Sequence, residues 1–270
     1  MKWRYYNHAM LPIAAPHETP DLTPINDGSV WKENKSALLA RYTTDFDCGR
    51  ETNWWYEIQD KPFDVSLVNA KRRYEINKGN KNFDVRVINP IDYADELLKI
   101  TKAAYESWPE KYRPTVNEET WNVSGWNETF KVYGAFGKED VVLHGYACLK
   151  IYEKYMGFSM LRVEPCMEKQ GINAAVVYGL LIDNTDFISQ GGYICDGERS
   201  IFHETAFQDY LEKYFNFRKA YCKLHIAYNP KIKWMVKFLY PFRKILKKAD
   251  GISIFHKING VLLMEELSRK

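Results

Sequence analysis

Between Gly157 and Ile182 the chain reads GFSMLRVEPCMEKQGINAAVVYGLLI. This stretch constrains the fold more than any other. An apolar strand over Phe158–Val163 stops at Glu164-Pro165, because proline cannot donate to a ladder. A short polar turn follows over Met167–Gln170. Gly171 then opens a long apolar helix that is expected to reach about Phe187. A strand that hands over to a helix through such a turn leaves several backbone N–H groups without partners. Those groups, with the positive end of the helix dipole, suit a phosphate or another anion.

The flanking pattern extends this unit into a layered α/β fold. Phe83–Ile88 alternates as a strand, and Ile91–Trp108 carries Leu97, Ile100, Ala104 and Trp108 on one helical stripe. A polar helix-turn region is expected over residues 112–126. Three strands follow in series, Phe130–Phe136, Val141–Tyr152 and Tyr155–Val163, with Gly137-Lys138-Glu139-Asp140 as the first hairpin turn. After the apolar helix come a buried strand at Gly192–Cys195, a helix over Glu204–Phe215 and a strand over Arg218–Ala227. Antiparallel strands thus come first and βα units last, which predicts a mixed sheet with helices on both faces. Upstream, Ala37–Thr43 and Trp54–Ile58 read as strands. Asp64 or Ser66 caps a helix running to about Lys78, which Gly79 ends. Residues 1–36 read as an irregular segment, with Tyr5, Tyr6, Asn7 and His8 as a strip lining a cleft.

The order of elements from Phe83 to Ala227 resembles the GNAT acyltransferase fold, and the Pro165–Asn173 turn resembles its cofactor-binding motif. Gly171 takes the place of the motif's first small residue and Asn173 that of the second, while Glu168 stands where an Arg or Gln is common. Asn173 with Ala174 resembles instead the FemABX branch of that superfamily. The resemblance implies an α/β (α+β mixed sheet) protein with a GNAT-like acyl-CoA N-acyltransferase fold over residues 83–230. An N-terminal extension over 1–82 and a C-terminal helical segment over 231–270 complete it. It implies acetyl-CoA or another acyl-CoA as donor, held by Leu161, Val163, Gln170, Gly171, Ile172 and Asn173. The acceptor would be an amine on a sugar, a peptide or a cell-wall precursor. The FemABX alternative implies aminoacyl-tRNA as donor and a lipid-linked precursor as acceptor. A third alternative is a binding module on the same scaffold, without turnover, for nucleic acid or an anionic surface.

Transfer needs a base for the attacking ammonium, a donor to polarise the carbonyl and an acid for the leaving group. DGERSIFHETAFQDYLEKYFNFRKAY, from Asp196 to Tyr221, opens at the carboxyl end of a buried strand, where open α/β sheets place ligands. Asp196, Glu198, Arg199, Ser200, His203 and Glu204 crowd there, and charges so dense beside a buried strand call for pairing or use. Glu198 or Asp196 is a candidate base, directly or through water. His203 is another, since its ordinary pKa lies near neutrality. A backbone N–H between Met160 and Val163 is placed to polarise the carbonyl. The GNAT resemblance implies a tyrosine as proton donor, Tyr210 or Tyr214. Arg199 is a candidate substrate contact. So are Arg72 and Arg73 of the basic stretch Asn69–Lys81, which otherwise reads as a solvated helix face.

The run Lys231–Lys248 holds seven basic residues and no acidic one. It reads either as a helix whose apolar face covers a sheet edge or as one lying on an anionic membrane. Pro241 breaks or kinks it, and a final amphipathic helix covers about Ile252–Leu267. Net charge is +3, too little to imply nucleic acid by itself. The five cysteines form no CxxC pair, which predicts reduced thiols, no metal site and a cytoplasmic protein. No window has the ~18 apolar residues of a membrane span.

Overall fold

The computed structural model describes residues 2–110, 113–199, 206–249 and 253–269. In chain order the elements begin with strands β1 (Trp3–Tyr6) and β2 (Ala9–Pro12), helices α1 (Thr23–Asn26) and α2 (Val30–Glu33), and strands β3 (Leu39–Thr44) and β4 (Trp54–Gln59). Next come α3 (Ala70–Asn82), β5 (Phe83–Val87), α4 (Ala94–Glu106), α5 (Trp126–Thr129), β6 (Phe130–Gly137), β7 (Leu143–Ile151) and β8 (Tyr155–Val163). After these stand α6 (Ile172–Asp183), α7 (Thr185–Ser189), β9 (Tyr193–Glu198) and α8 (Ala206–Phe215). The chain closes with β10 (Arg218–Tyr228), α9 (Pro230–Leu239), α10 (Arg243–Leu246) and α11 (Ser253–Ser268). These elements form two compact units, residues 1–56 with 219–270 and residues 57–218.

In the first unit, β1 and β2 make an antiparallel hairpin, from Trp3↔Pro12 to Tyr6↔Ala9. Its turn residues Asn7 and His8 both have positive φ, 43° and 64°, as a tight hairpin of this twist demands. This corrects the expectation of an irregular segment, and the Tyr5–His8 strip is the hairpin's exposed tip. β2 runs parallel to β3, and β3 antiparallel to β10, from Leu39↔Tyr228 to Thr44↔Lys223. Trp3, Met10, Val30, Ala37 and Ala40 form one buried cluster of this unit.

In the second unit the sheet order is β9-β8-β7-β6-β5, antiparallel from β5 to β8 and parallel between β8 and β9. Alternate residues of a strand face opposite sides. Tyr133, Ala135, Ala147 and Leu149 therefore pack with Ile76 of α3 and the apolar residues of α6. Val132, Tyr146 and Cys148 pack with Leu97 and Ile100 of α4. Helix α6 has buried residues nearly all round (Ile172, Ala174, Ala175, Val176, Val177, Leu180, Leu181), which suits a helix held between a sheet and another helix. It ends sooner than expected. Asn184 is buried and donates to the Tyr133 hydroxyl (2.7 Å) and the Leu180 carbonyl (2.6 Å). Lys131 reaches Asp183 at 2.6 Å, and Tyr133 donates to Asp183 at 2.8 Å. This polar knot turns the chain into α7.

Helix α3 differs from expectation at both ends. Asn69 caps it, its side chain accepting from the Arg72 amide, while Asp64 caps a separate turn by accepting from Ser66. Gly79 does not end the helix, which runs on to Asn82. A Cβ on Gly79 would lie 2.4 Å from the Gly171 carbonyl oxygen and 2.9 Å from the Ala175 amide nitrogen. Glycine is present there because α3 crosses α6 backbone against backbone. The polar region at 113–126 forms a 3₁₀ turn over Glu118–Thr120 and a turn at Ser124–Gly125 before α5, not a longer helix.

Candidate functional site

The parallel ladder between β8 and β9 has three pairs, Tyr155↔Tyr193, Met156↔Ile194 and Gly157↔Cys195. Both strands continue, to Val163 and Glu198, but no further pair joins them among the described residues. The far half of β8 therefore pairs with β7 alone; on its other edge the Arg162 guanidinium donates to the Leu161 carbonyl (2.7 Å), so that edge offers amide donors rather than a full ladder. β8 also carries a bulge: Met160 faces Cys148 and Phe158 faces Leu149, so Ser159 is an extra residue.

The phase of the β7–β8 ladder decides which backbone groups meet the open edge. The Glu164 amide donates to the His144 carbonyl at 2.9 Å. In an antiparallel ladder, bonded and non-bonded pairs alternate. Arg162↔Tyr146 is then a bonded pair, while Val163↔Gly145 and Leu161↔Ala147 turn their N–H and C=O away from β7. Leu161 and Val163, two of the expected donor-binding residues, thus present backbone donors to the gap.

Beyond the strand, Pro165–Gln170 winds as a tight 3₁₀ turn, and Gly171 adopts a left-handed conformation, φ 87°, before α6. The Asn82 amide of α3 donates to the Gln170 carbonyl at 2.9 Å. A Cβ on Gly171 would lie 2.9 Å from the Gly79 nitrogen. Gly171 and Ile172 are buried, Asn173 is half-buried and Gln170 is exposed. One side of the turn is thus occupied by the backbone of α3. Glu168 is exposed on the turn.

Asp196, Glu198 and Arg199 follow the last ladder pair, and all three are half-buried. Burial pushes the Asp196 carboxyl up to about 7, and a hydrogen bond from Gln208 only partly opposes it. Buried Gln208 of α8 also donates to the Glu198 carbonyl at 3.2 Å. A carboxyl near neutrality can both take and return a proton. Asp196 is therefore better matched than a fully ionised carboxylate to the role of base. Tyr210 packs among Phe207, Tyr214 and Phe215, and burial raises its phenol well above the ordinary value, so it is held protonated. Arg72 lies over the Tyr214 ring at 5.9 Å, which ties α3 to α8, and Arg73 donates to the Ser66 carbonyl at 3.4 Å. His203, Ser200 and Glu204 lie outside the described residues.

A cluster not found from the sequence sits at the mouth of the turn. The His144 ring is buried between Glu164 (Nδ1, 2.7 Å) and Asp140 (Nε2, 2.8 Å), and Lys99 stands 3.6 Å from Glu164. Burial pulls the imidazole's pKa down, but the two carboxylates outweigh it and the net shift is upward. A base raised on folding adds stability below its unfolded value of about 6.5, and that stability is lost as pH rises through the folded value. His144→Gln is therefore expected to cost about 2–3 kcal/mol at pH 6 and less at pH 9. Denaturant midpoints across that range check it, and an equal loss at both pH values would show a neutral ring.

All five cysteines are free thiols. Burial raises Cys195, beside the gap, to about 12, which makes it inert as a nucleophile. No group of three metal-ligating side chains occurs among the described residues, and no helix there is long and apolar enough to cross a membrane. A groove of about 350 Å³ runs along α4, lined by Asp95, Lys99, Lys102 and Glu106. Lys99 and Lys102 are already engaged by Glu164 and Glu118, so it is the weaker candidate.

No protein-family model and no curated protein matches the chain. Solved structures do. L-PGS from Bacillus licheniformis aligns with 99% of this chain and 85% of its own at TM-score 0.54 and 14% identity. A protein of unknown function from Bacteroides thetaiotaomicron aligns with 82% of this chain and 78% of its own at TM-score 0.54 and 11% identity. The C-terminal domain assigned to a lysylphosphatidylglycerol synthetase from Agrobacterium fabrum aligns with 85% of this chain and 81% of its own at TM-score 0.50 and 10% identity. At such identities the likeness is one of fold alone. The chain shares the mixed α/β fold of these structures, and its parallel ladder between β8 and β9 ends at Gly157 and Cys195.

Proposed function

We propose that residues 57–218 transfer an acyl group from an activated donor lying along the open edge of β8. The parted strands carry this reading. An edge with unpaired amides accepts an extended amide chain as it would another strand, and the pantetheine arm of an acyl-CoA is such a chain. The leading donor is acetyl-CoA or another acyl-CoA, and the acceptor an amine. Asp196 takes the proton from the attacking ammonium. The amine nitrogen bonds to the carbonyl carbon, whose oxygen is polarised by a backbone N–H between Met160 and Val163. The carbon–sulfur bond breaks, Tyr210 gives its proton to the leaving thiolate, and the second proton of the amine nitrogen restores the phenol. Glu198 and His203 remain the other candidate bases, and Arg199, Arg72 and Arg73 the candidate substrate contacts.

Two observations favour a second donor, an aminoacyl ester of tRNA. Exposed Glu168 repels a pyrophosphate at the turn, and α3 fills one side of it. The names L-PGS and lysylphosphatidylglycerol synthetase also suggest an aminoacyl group and a phosphatidylglycerol acceptor. The chemistry is the same, with a ribose oxygen as leaving group. A thermal titration separates the readings. A donor at a hundredfold its dissociation constant adds about 2.7 kcal/mol, or roughly 5–10 °C. A rise with acyl-CoAs supports the first reading, and a rise with a 3′-aminoacyl-adenosine alone supports the second. No shift with either, together with salt-sensitive RNA binding, would leave a module without turnover.

A further inference from the structure

We infer that the outer face of α9 and α10 docks on a membrane surface rich in anionic lipid. In α9, Val236 is buried and Ile232 and Leu239 are half-buried, so these three make the inward face. That accounts for the reading of a helix that covers its neighbours. It leaves out Trp234 (76% exposed), Phe238 (71%) and Met235. At about 100° per residue these three span an outward arc of about 100°. Beyond the bend at Pro241, Phe242 and Ile245 (67% exposed) continue the apolar row. Single exposed apolar residues are ordinary, but a contiguous row of five is the mark of an interaction site.

Charge identifies the partner. Lys231, Lys233, Lys237, Lys244, Lys247 and Lys248 are exposed around this row, and no acidic residue lies between Lys231 and Lys248. Lys237 lies 5.6 Å from the Trp234 ring. Arg243 is turned to Glu266 (3.4 Å) and the Tyr240 ring, and so belongs to the support. A nucleic acid would engage the lysines and leave Phe238 and Ile245 in water. An anionic bilayer satisfies both sets. The aromatic and aliphatic side chains enter the headgroup boundary, and the lysines meet lipid phosphates. This inference does not depend on the transfer reaction.

The test is co-sedimentation of the full chain with vesicles of phosphatidylcholine alone and with about a third phosphatidylserine. Phosphatidylserine separates general anionic attraction from use of a lipid as substrate. Two variants accompany it: Trp234→Ser with Phe238→Ser, and Lys233→Gln with Lys237→Gln and Lys244→Gln. All these positions are exposed, so folding is retained, and thermal melting verifies it. The wild type is expected to bind the anionic vesicles, weakly bind the neutral ones and release in high salt. Each variant is expected to partition about tenfold less or lower still. Unchanged binding by the double serine variant would overturn the proposal. So would equal binding to both vesicles, RNA binding in place of vesicle binding, or a stable dimer that Phe238→Ser disrupts.

Discussion

Gly79→Ala is expected to lower the stability of residues 57–218 by roughly 2 kcal/mol, although alanine is the better helix former. Two effects oppose each other. Alanine gains about 1 kcal/mol over glycine inside a helix. Its methyl carbon, however, would sit 2.4 Å from the Gly171 oxygen and 2.9 Å from the Ala175 nitrogen, both backbone atoms that cannot rotate aside. Overpacking a tight contact costs about 1–3 kcal/mol, and more when backbones must part. Clash therefore wins. The shift also pulls Asn82 from the Gln170 carbonyl, loosening the turn. Gly171→Val is expected to disrupt the fold for two reasons, its φ of 87° and a close approach to Gly79. It is a probe of folding before it is a probe of donor binding. Denaturant titration of Gly79→Ala checks the argument, and an unchanged or higher midpoint would mean that α3 and α6 are not in backbone contact.

Asp196→Asn is expected to stabilise the fold at pH 8 by about 2–4 kcal/mol while lowering acyl transfer about 10²–10⁴-fold. Burial holds the carboxyl up to about 7 in the folded protein, against about 3.9 in an unfolded chain. Between those values the folded state keeps a proton that the unfolded state has lost. Stability therefore falls as pH rises from about 4 to 7 and stays lowered above. Asparagine matches the neutral carboxyl in shape and carries no such penalty. A group that weakens the fold at working pH, yet sits where two strands part, fits a trade of stability for activity. Equilibrium unfolding across pH and transfer assays on the same variant read the two effects separately. A flat pH profile in the wild type would deny the burial. Intact turnover in the variant would pass the base role to Glu198.

How far residues reveal structure here depends on how local their causes are. The β6–β8 strands were legible because their apolar runs are long and the first two are separated by the local turn residues Gly137–Asp140. Gly79 looked like a helix stop because its actual partner, Gly171, lies far along the chain and no local pattern announces it. His144 reads from the sequence as a structural strand histidine, but nothing local names both of its carboxylate partners. Asp140 lies only four residues back in the turn before β7, but Glu164 comes beside the ring only through the β7–β8 register. The crowding of charge after Cys195 pointed to the site, yet the sequence ranks Asp196 and Glu198 equally. What singles out Asp196 is its raised carboxyl and the side-chain hydrogen bond from Gln208 of α8, a partner that no local pattern announces. The Ser159 bulge left no trace in composition, since a serine in an apolar strand reads as ordinary alternation.

The central claim is that Leu161 and Val163 offer unpaired amides to a donor lying between β8 and β9. Residue-resolved amide hydrogen exchange, with and without saturating acyl donor, tests it most directly. Leu161 and Val163 are predicted to exchange fast in the free protein and to become protected on binding. Met160 and Arg162, bonded to β7, should be slow in both states. Protection of Leu161 and Val163 in the absence of donor, or no change at saturation, would contradict the account.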